Sequence, residues 1–450
     1  MTAAPTARRT LAYNPRVPPT SDASGDDAAR RPLADRCPGV LRLVEAADGY
    51  LARVRLPGGF VTAGQLRTLA RLAGQLGDGR IELTSRGNVQ LRALAIDAAA
   101  RLTEELDAAG LLPSLDHDRV RNVLASPLAG LDTGPDLAHV VRALDAGLCA
   151  RPRLAELSGR FLFAVDDGRG DVAGPGADVV AVVRASDASV NGLAVRPDLV
   201  AAVMLAFAEA FLDERAALGR EAWRIADLPG GAERVRAVVA ARFGLPAAPA
   251  TGSPPLAGSP VAGSPVAGPA IRPVGVVACR AAPGRDGQGE HDERRASDEH
   301  GGSDEHGGSD GWGEPESSAA AVVLLAPLGR LTVAQVDWLA DHARGRAARV
   351  TPWRSVVLPD QPDAADVLRE AARLGLGVDA SSPWLRVTAC AGRPGCASAL
   401  ADVQADAVGL ASRWPGRVVH VSGCGRHCGR PAATEIDVTA TSEGYQVAGV

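Results

Sequence analysis

GFVTAGQL at residues 59–66 and GRLTVAQV at residues 329–336 decide how this chain folds. In each, a threonine (Thr62, Thr332) stands before a run with helical spacing, as an N-cap does. A strand follows in both copies. The first reads Ile81-Glu82-Leu83-Thr84-Ser85-Arg86, the second Val350-Thr351-Pro352-Trp353-Arg354, so each ends in threonine and, shortly after, arginine. Strands upstream, at 50–56 in the first copy and at 274–278 or 321–325 in the second, complete a β-α-β unit in each half. The expectation is α+β: two half-domains paired about a pseudo-twofold axis, each followed by a larger α/β domain.

Working outward, the reading divides the chain into residues 1–35, a disordered tail; 36–112, the first half-domain; and 113–247, the first α/β domain. Residues 248–320 form a low-complexity insertion, 321–378 the second half-domain and 379–450 the second α/β domain. The insertion opens with GSPPLAGSPVAGSPVAGP at 252–269 and contains SDEHGG twice, at 297–302 and 303–308, with a strand near 273–279. Its Ser, Gly and Asp surroundings cannot pack a core, so His300 and His306 read as loop residues that bind metal weakly if at all.

With 450 residues, 46% hydrophobic and 22% charged, the chain belongs among globular proteins that bury sizeable cores. Lysine is absent, so its 48 basic residues are all arginine, a composition bias rather than a functional signal. A net charge of −5 gives no support for nucleic-acid binding. No apolar run approaches membrane-spanning length and residues 1–22 lack the apolar core of a signal peptide, which predicts a cytoplasmic protein without a membrane partner. No G-x-G-x-x-G follows a strand, so a nicotinamide domain is not expected.

The chemistry concentrates near the C-terminus. Cys390 and Cys396 lie in CAGRPGC, Cys424 and Cys428 in CGRHC, two pairs separated by 27 residues and embedded in glycine. Four thiolates with glycine beside them suit an iron–sulfur cluster. Zinc is the main competitor, although the five-residue gap of the first pair fits a zinc knuckle poorly. The periodicity of Leu400, Val403, Ala407 and Leu410 predicts a helix starting near Cys396, and 417–421 reads as a strand delivering Cys424. His427 is either a donor to a sulfur or substrate, or a loop histidine without a role.

Repeat, domain order and cysteine spacing together resemble the nitrite/sulfite reductase family over nearly all of 37–450 outside the insertion. The resemblance implies two paired ferredoxin-like half-domains and a [4Fe–4S] cluster on Cys390, Cys396, Cys424 and Cys428. It also implies a tetrapyrrole pocket served by Arg86 and Asn88 of the LTSRGN stretch, Arg121 and Asn122 of RNV, and Arg160. Converging guanidiniums are physically apt for a ring of carboxylates.

Where the sirohaem reductases carry a second active-site lysine this chain has Leu162. Cys37-Pro38-Gly39, the 125–130 stretch ASPLAG and the 163–168 stretch FAVDDG are similar to the branch that hydroxylates precorrin-3A. The resemblance to that branch implies O2-dependent hydroxylation at C20 with γ-lactone formation, in aerobic cobalamin biosynthesis. It further implies a mononuclear non-haem iron beside the cluster and a separate electron donor, a ferredoxin or an NAD(P)H reductase. His117, within Asp116-His117-Asp118, is a candidate iron ligand or else part of a polar loop; His420 and His427 are further candidates. Asp166 and Asp167 are candidate acid–base groups or else turn residues. The alternative function is a sirohaem-dependent ferredoxin nitrite or sulfite reductase.

Overall fold

Thr62 and Thr332 each close a capping box. The hydroxyl accepts from the N–H of Gln65 or Gln335, and that glutamine's side chain accepts from the threonine N–H. The computed structural model describes residues 9–11, 35, 37–132, 134–173, 176–219, 221–246, 274–277 and 320–449. The two capped helices, Ala63–Leu76 and Val333–His342, pack against each other. Each glutamine also reaches an equivalent carbonyl, Gln65 that of Ala109 and Gln335 that of Leu374.

The halves exchange strands. One five-stranded sheet runs Arg330–Thr332, Arg80–Leu83, Val89–Leu94, Gly49–Val54, Val44–Ala46, its first strand donated by the second half. The other runs Gly275–Val277, Ala320–Leu325, Ser355–Gln361, Ala348–Val350, Phe60–Val61, its last strand donated by the first half. A single apolar core then spans both halves, from Val54, Leu69 and Leu91 to Leu324, Leu339 and Leu358. Non-directional burial of this kind is the main force joining them.

Both candidate upstream strands of the second half exist. Ala320–Leu325 takes the place of Gly49–Val54, and Gly275–Val277 that of Val44–Ala46. Residues 278–319, with His300 and His306, lie between these two strands and outside the described residues. The strand-end turns match with a one-residue slip from the sequence alignment. Thr84 and Thr351 correspond, each donating to the residue four positions on (Asn88, Ser355), and this aligns Arg354 with Gly87 rather than with Arg86. Gly87 and Arg354 share the left-handed backbone, at φ 64° and 62°.

Each α/β domain is a mixed five-stranded sheet. In the first, Val123–Ala125, Phe163–Asp166 and Val179–Val183 run parallel, and Ala188–Val190 and Leu193–Val195 follow antiparallel. In the second, Val387–Ala389, Val419–Ser422 and Ile436–Thr441 run parallel and Gly444–Ala448 antiparallel. The fifth strand of the second is Arg9–Leu11, from the tail expected to be disordered; most of residues 1–35 lie outside the described residues. No helix among the described residues is long and apolar enough to cross a membrane.

Candidate cluster site and arginine pocket

The four cysteines come from two loops of the second α/β domain. Cys390 directly follows the strand Val387–Ala389, and its N–H donates to Val421 O at 3.0 Å. Cys396 lies further along the same loop. Cys424 and Cys428 follow the neighbouring strand Val419–Ser422. The helix expected from Cys396 onward begins only at Val403, capped by Asp402, so Cys396 lies in a loop and not at a helix N-terminus. Gly423 donates its N–H to Cys390 Sγ at 3.1 Å. A Cβ there would lie 2.7 Å from Ala399 Cβ and 3.5 Å from the same sulfur, so only glycine allows this backbone approach.

Four thiolates suit an iron–sulfur cluster, with zinc as the competitor. Zn–S bonds of about 2.3 Å would draw four tetrahedral sulfurs to within ~3.8 Å of one another. Among the described residues the only Cys, His, Asp or Glu group whose ligand atoms all lie within 4.8 Å of one another is Asp166, Asp167 and Asp171. No three of the cysteine sulfurs meet that limit. They still share one field: burial, then Cys424, Cys390 and Cys396, push the Cys428 thiol up. A cluster here would be held by these four thiolates, with the Gly423 N–H on the Cys390 sulfur.

His420 is fully buried beside this site, its Nδ1 2.9 Å from Thr388 Oγ1. Burial lowers its pKa to about 4, so the ring is neutral at physiological pH. His427 instead pairs with Asp437 at 3.1 Å, and Arg430 joins the same carboxylate at 3.0 Å.

The first α/β domain carries a twin of the Cys390 loop that the sequence did not reveal. Ser126 N–H donates to Val165 O at 3.1 Å, as Cys390 does to Val421, and Asp167 N–H donates to Ser126 Oγ at 3.1 Å, as Gly423 does to Cys390. Asp166 thus ends the twin strand and Asp167 follows it. Asp166 accepts from four backbone N–H groups (Gly168, Gly170, Val172, Ala173), and Asp167 pairs with Arg169. Asp166 thus serves the turn that follows the strand, and Asp167 an ion pair with Arg169.

Burial, with Asp166 and Asp167 adjacent, raises neighbouring Asp171 to about 6. Ionising it therefore costs the folded state more than the unfolded one, and stability declines as pH rises from ~4 to ~6. Asp171→Asn is expected to raise the melting temperature fully above pH 6, with the gain vanishing toward pH 4 in parallel scans.

His117 is also structural. Its Nε2 donates to Arg151 O at 3.0 Å and its Nδ1 accepts from Ser114 Oγ at 2.7 Å, leaving no lone pair for iron. Asp118 accepts from Val40 and Leu41 N–H. Arg121 forks onto Asp145, with both bonds 2.8 Å, and donates its remaining nitrogen to Leu111 O at 3.0 Å. Arg121 is buried and Asp145 half-buried, so Arg121 holds the domain together and does not face a ligand. Asn88 and Asn122 bond to each other and to Leu56 N–H, Arg119 O and Gly159 O; they brace the pocket wall from inside.

Arg86 and Arg160 do share a surface. Arg86 Nη1 donates to Gly159 O at 2.9 Å, and Arg160 is exposed, 4.2 Å above the Trp223 ring. Burial, followed by the nearby Arg224 and Arg160 charges, lowers the Arg86 pKa. Sequence reading missed Arg53, which lies beside Arg86 and Cys37 and is likewise lowered by burial. It also missed Arg55, 2% exposed, hydrogen-bonded to Pro38 O and Arg119 O and lowered to about 9 by burial and then by Arg53. The available signal was Arg53-Val54-Arg55, two cations on one face of an otherwise apolar strand. Clustered, desolvated guanidiniums form a site for a polyanion.

Residues 44–109 match the nitrite/sulfite reductase ferredoxin-like half domain. A ferredoxin–nitrite reductase of Synechococcus elongatus is 25% identical, over 89% of this chain and 78% of its own length. A precorrin-3B synthase of Sinorhizobium is 26% identical, over 95% of this chain and 85% of its own. The solved NirA protein of Mycobacterium tuberculosis superposes with a TM-score of 0.63 at 22% identity, over 88% of this chain and 74% of that one. The chain has a nitrite/sulfite reductase-like fold with ferredoxin-like half-domains. Over most of its length the chain is similar to a nitrite reductase and to a precorrin-3B synthase.

Proposed function

We propose that this protein is a precorrin-3B synthase, hydroxylating precorrin-3A at C20 with O2 and closing a γ-lactone. Leu162 carries the reading. Where reductases resembling this chain have a lysine, its side chain is buried against Leu124, Ala164 and Val172, so no proton donor can act there on a bound sulfite or nitrite. The alignment over 95% of the chain with a precorrin-3B synthase supports the same reading. Hydroxylation inserts one oxygen atom and releases the other as water, consuming two electrons and two protons. A separate donor, ferredoxin or an NAD(P)H reductase, supplies those electrons.

A [4Fe–4S] cluster on Cys390, Cys396, Cys424 and Cys428 supplies single-electron transfer. The protein's own part is to bind and orient: Arg53, Arg86 and Arg160 anchor the peripheral carboxylates of the macrocycle. Both ring nitrogens of His117 are hydrogen-bonded, and no step is assigned to a mononuclear iron. Arg53→Gln and Arg86→Gln are each expected to weaken binding of a carboxylate-rich tetrapyrrole about 10- to 100-fold, measured by fluorescence quenching.

The second reading, a sirohaem-dependent reductase, is favoured by the 25% identical nitrite reductase. Anaerobic purification with iron, sulfide and extracted tetrapyrrole quantified on one sample separates the two. Iron and sulfide without sirohaem, followed by O2-dependent turnover of precorrin-3A, support the synthase. Stoichiometric sirohaem with nitrite or sulfite reduction overturns it.

A further inference from the structure

One face of the first shared sheet carries a polar row that the fold alone does not require. Arg53, Gln90, Glu82 and Arg330 stand directly opposite one another on four adjacent strands. Arg53 Nε donates to Gln90 Oε1 at 2.9 Å, Gln90 Nε2 donates to Glu82 Oε2 at 3.2 Å, and Arg330 lies 3.5 Å from Glu82 Oε1. Arg92, two residues along from Gln90, is 4.0 Å from the same Glu82 oxygen.

The two arginines beside Glu82, Arg92 and Arg330, extend from it to the first cysteine loop. Arg92 Nη2 donates to Gly395 O at 2.9 Å, one residue before Cys396, while Asp48 takes Nε and Nη2 at 3.1 and 3.0 Å. A Cβ on Gly395 would lie 2.5 Å from Arg92 Nη2, so the loop is fitted to the guanidinium. Arg330 Nη1 donates to Gln404 Oε1 at 3.0 Å, and Gln404 Nε2 donates to Cys390 O at 3.1 Å. Asp78 holds Arg330 from the other side at 2.9 Å.

We propose that Arg92 and Arg330, joined through Glu82, are the positioning residues of the first cysteine pair, each setting one cysteine segment against the half-domains. This rests on the reading of the four cysteines as cluster ligands. A planar guanidinium fixed by a carboxylate holds a carbonyl at a defined angle, which lysine cannot reproduce. Two cations beside an anionic cluster also favour its reduced form, because net charge and hydrogen bonding tune cluster potentials.

The test is a redox titration of the full chain, purified anaerobically, with the EPR signal of the reduced cluster and its resistance to a chelator. Arg92→Gln and Arg330→Gln should lower the midpoint potential and hold the cluster about tenfold less tightly. Glu82→Gln should shift the potential the opposite way. Arg92→Lys should return the potential toward that of the unchanged protein while leaving the cluster loosely held. Arg67→Gln, which breaks the exposed Arg67–Asp341 pair, should change neither.

Should Arg92→Gln fail to fold, Gly395→Ala displaces the guanidinium without altering charge and should broaden the EPR signal. Full iron with unchanged potential, EPR and chelator resistance in both arginine variants overturns the proposal. Absence of iron and sulfide from the unchanged protein instead overturns the cluster reading beneath it.

Discussion

Cys424→Ser is expected to yield protein with little iron or acid-labile sulfide and without the broad visible absorption of a cluster. A serine hydroxyl does not ionise at neutral pH, so the site loses one of its four anionic ligands, and the other three thiolates then repel one another without compensation. The loss should be nearly complete, because Cys424 follows the Gly423 N–H that already points at Cys390 Sγ. Cys149→Ser is the matched control. Cys149 closes the helix Ala138–Cys149 of the other α/β domain, away from the site, and iron content should be unchanged. Iron and sulfide assays with absorption spectra check both. Zinc without sulfide in the unchanged protein would rule out the cluster.

The second large effect falls on stability. Asp145→Ala should destabilise the fold by about 3–5 kcal/mol, the usual cost of leaving a buried charge without its partner. Arg121 is 4% exposed and directs two of its nitrogens at this carboxylate. Without Asp145 a desolvated cation remains with only the Leu111 carbonyl. Urea unfolding followed by circular dichroism reads the change. If Arg121 were instead a ligand-binding group, Asp145→Ala would leave unfolding unchanged and alter tetrapyrrole affinity.

The difference between Arg121 and Arg86 shows where sequence reading stops. Both stand in motifs that resemble the family's pocket, and nothing in either motif distinguishes them. Asp145, 24 residues along the chain, claims Arg121, while the Arg86 guanidinium donates to the Gly159 carbonyl and stands near Arg224 and Arg160. Asp166 is ambiguous in sequence in the same way, and four backbone N–H groups converge on it in the fold. Arg53 was passed over because a cation on a strand reads as solvated unless its surroundings are known.

Local signals were enough for much of the rest. Thr62 and Thr332 cap helices through atoms within three residues, so the repeat and its pseudo-twofold pairing were legible in the chain. The four cysteines were legible too, because thiolate number and glycine content are compositional facts with few chemical uses. Only the tertiary structure decided the exchange of Phe60–Val61 and Arg330–Thr332 between halves, the serine twin of the Cys390 loop, and the contact of Arg92 with Gly395 across 303 residues. The reason is physical: capping and ligand chemistry act over a few bonds and mark the sequence, whereas hydrogen bonds and ion pairs between distant segments depend on where packing brings each side chain.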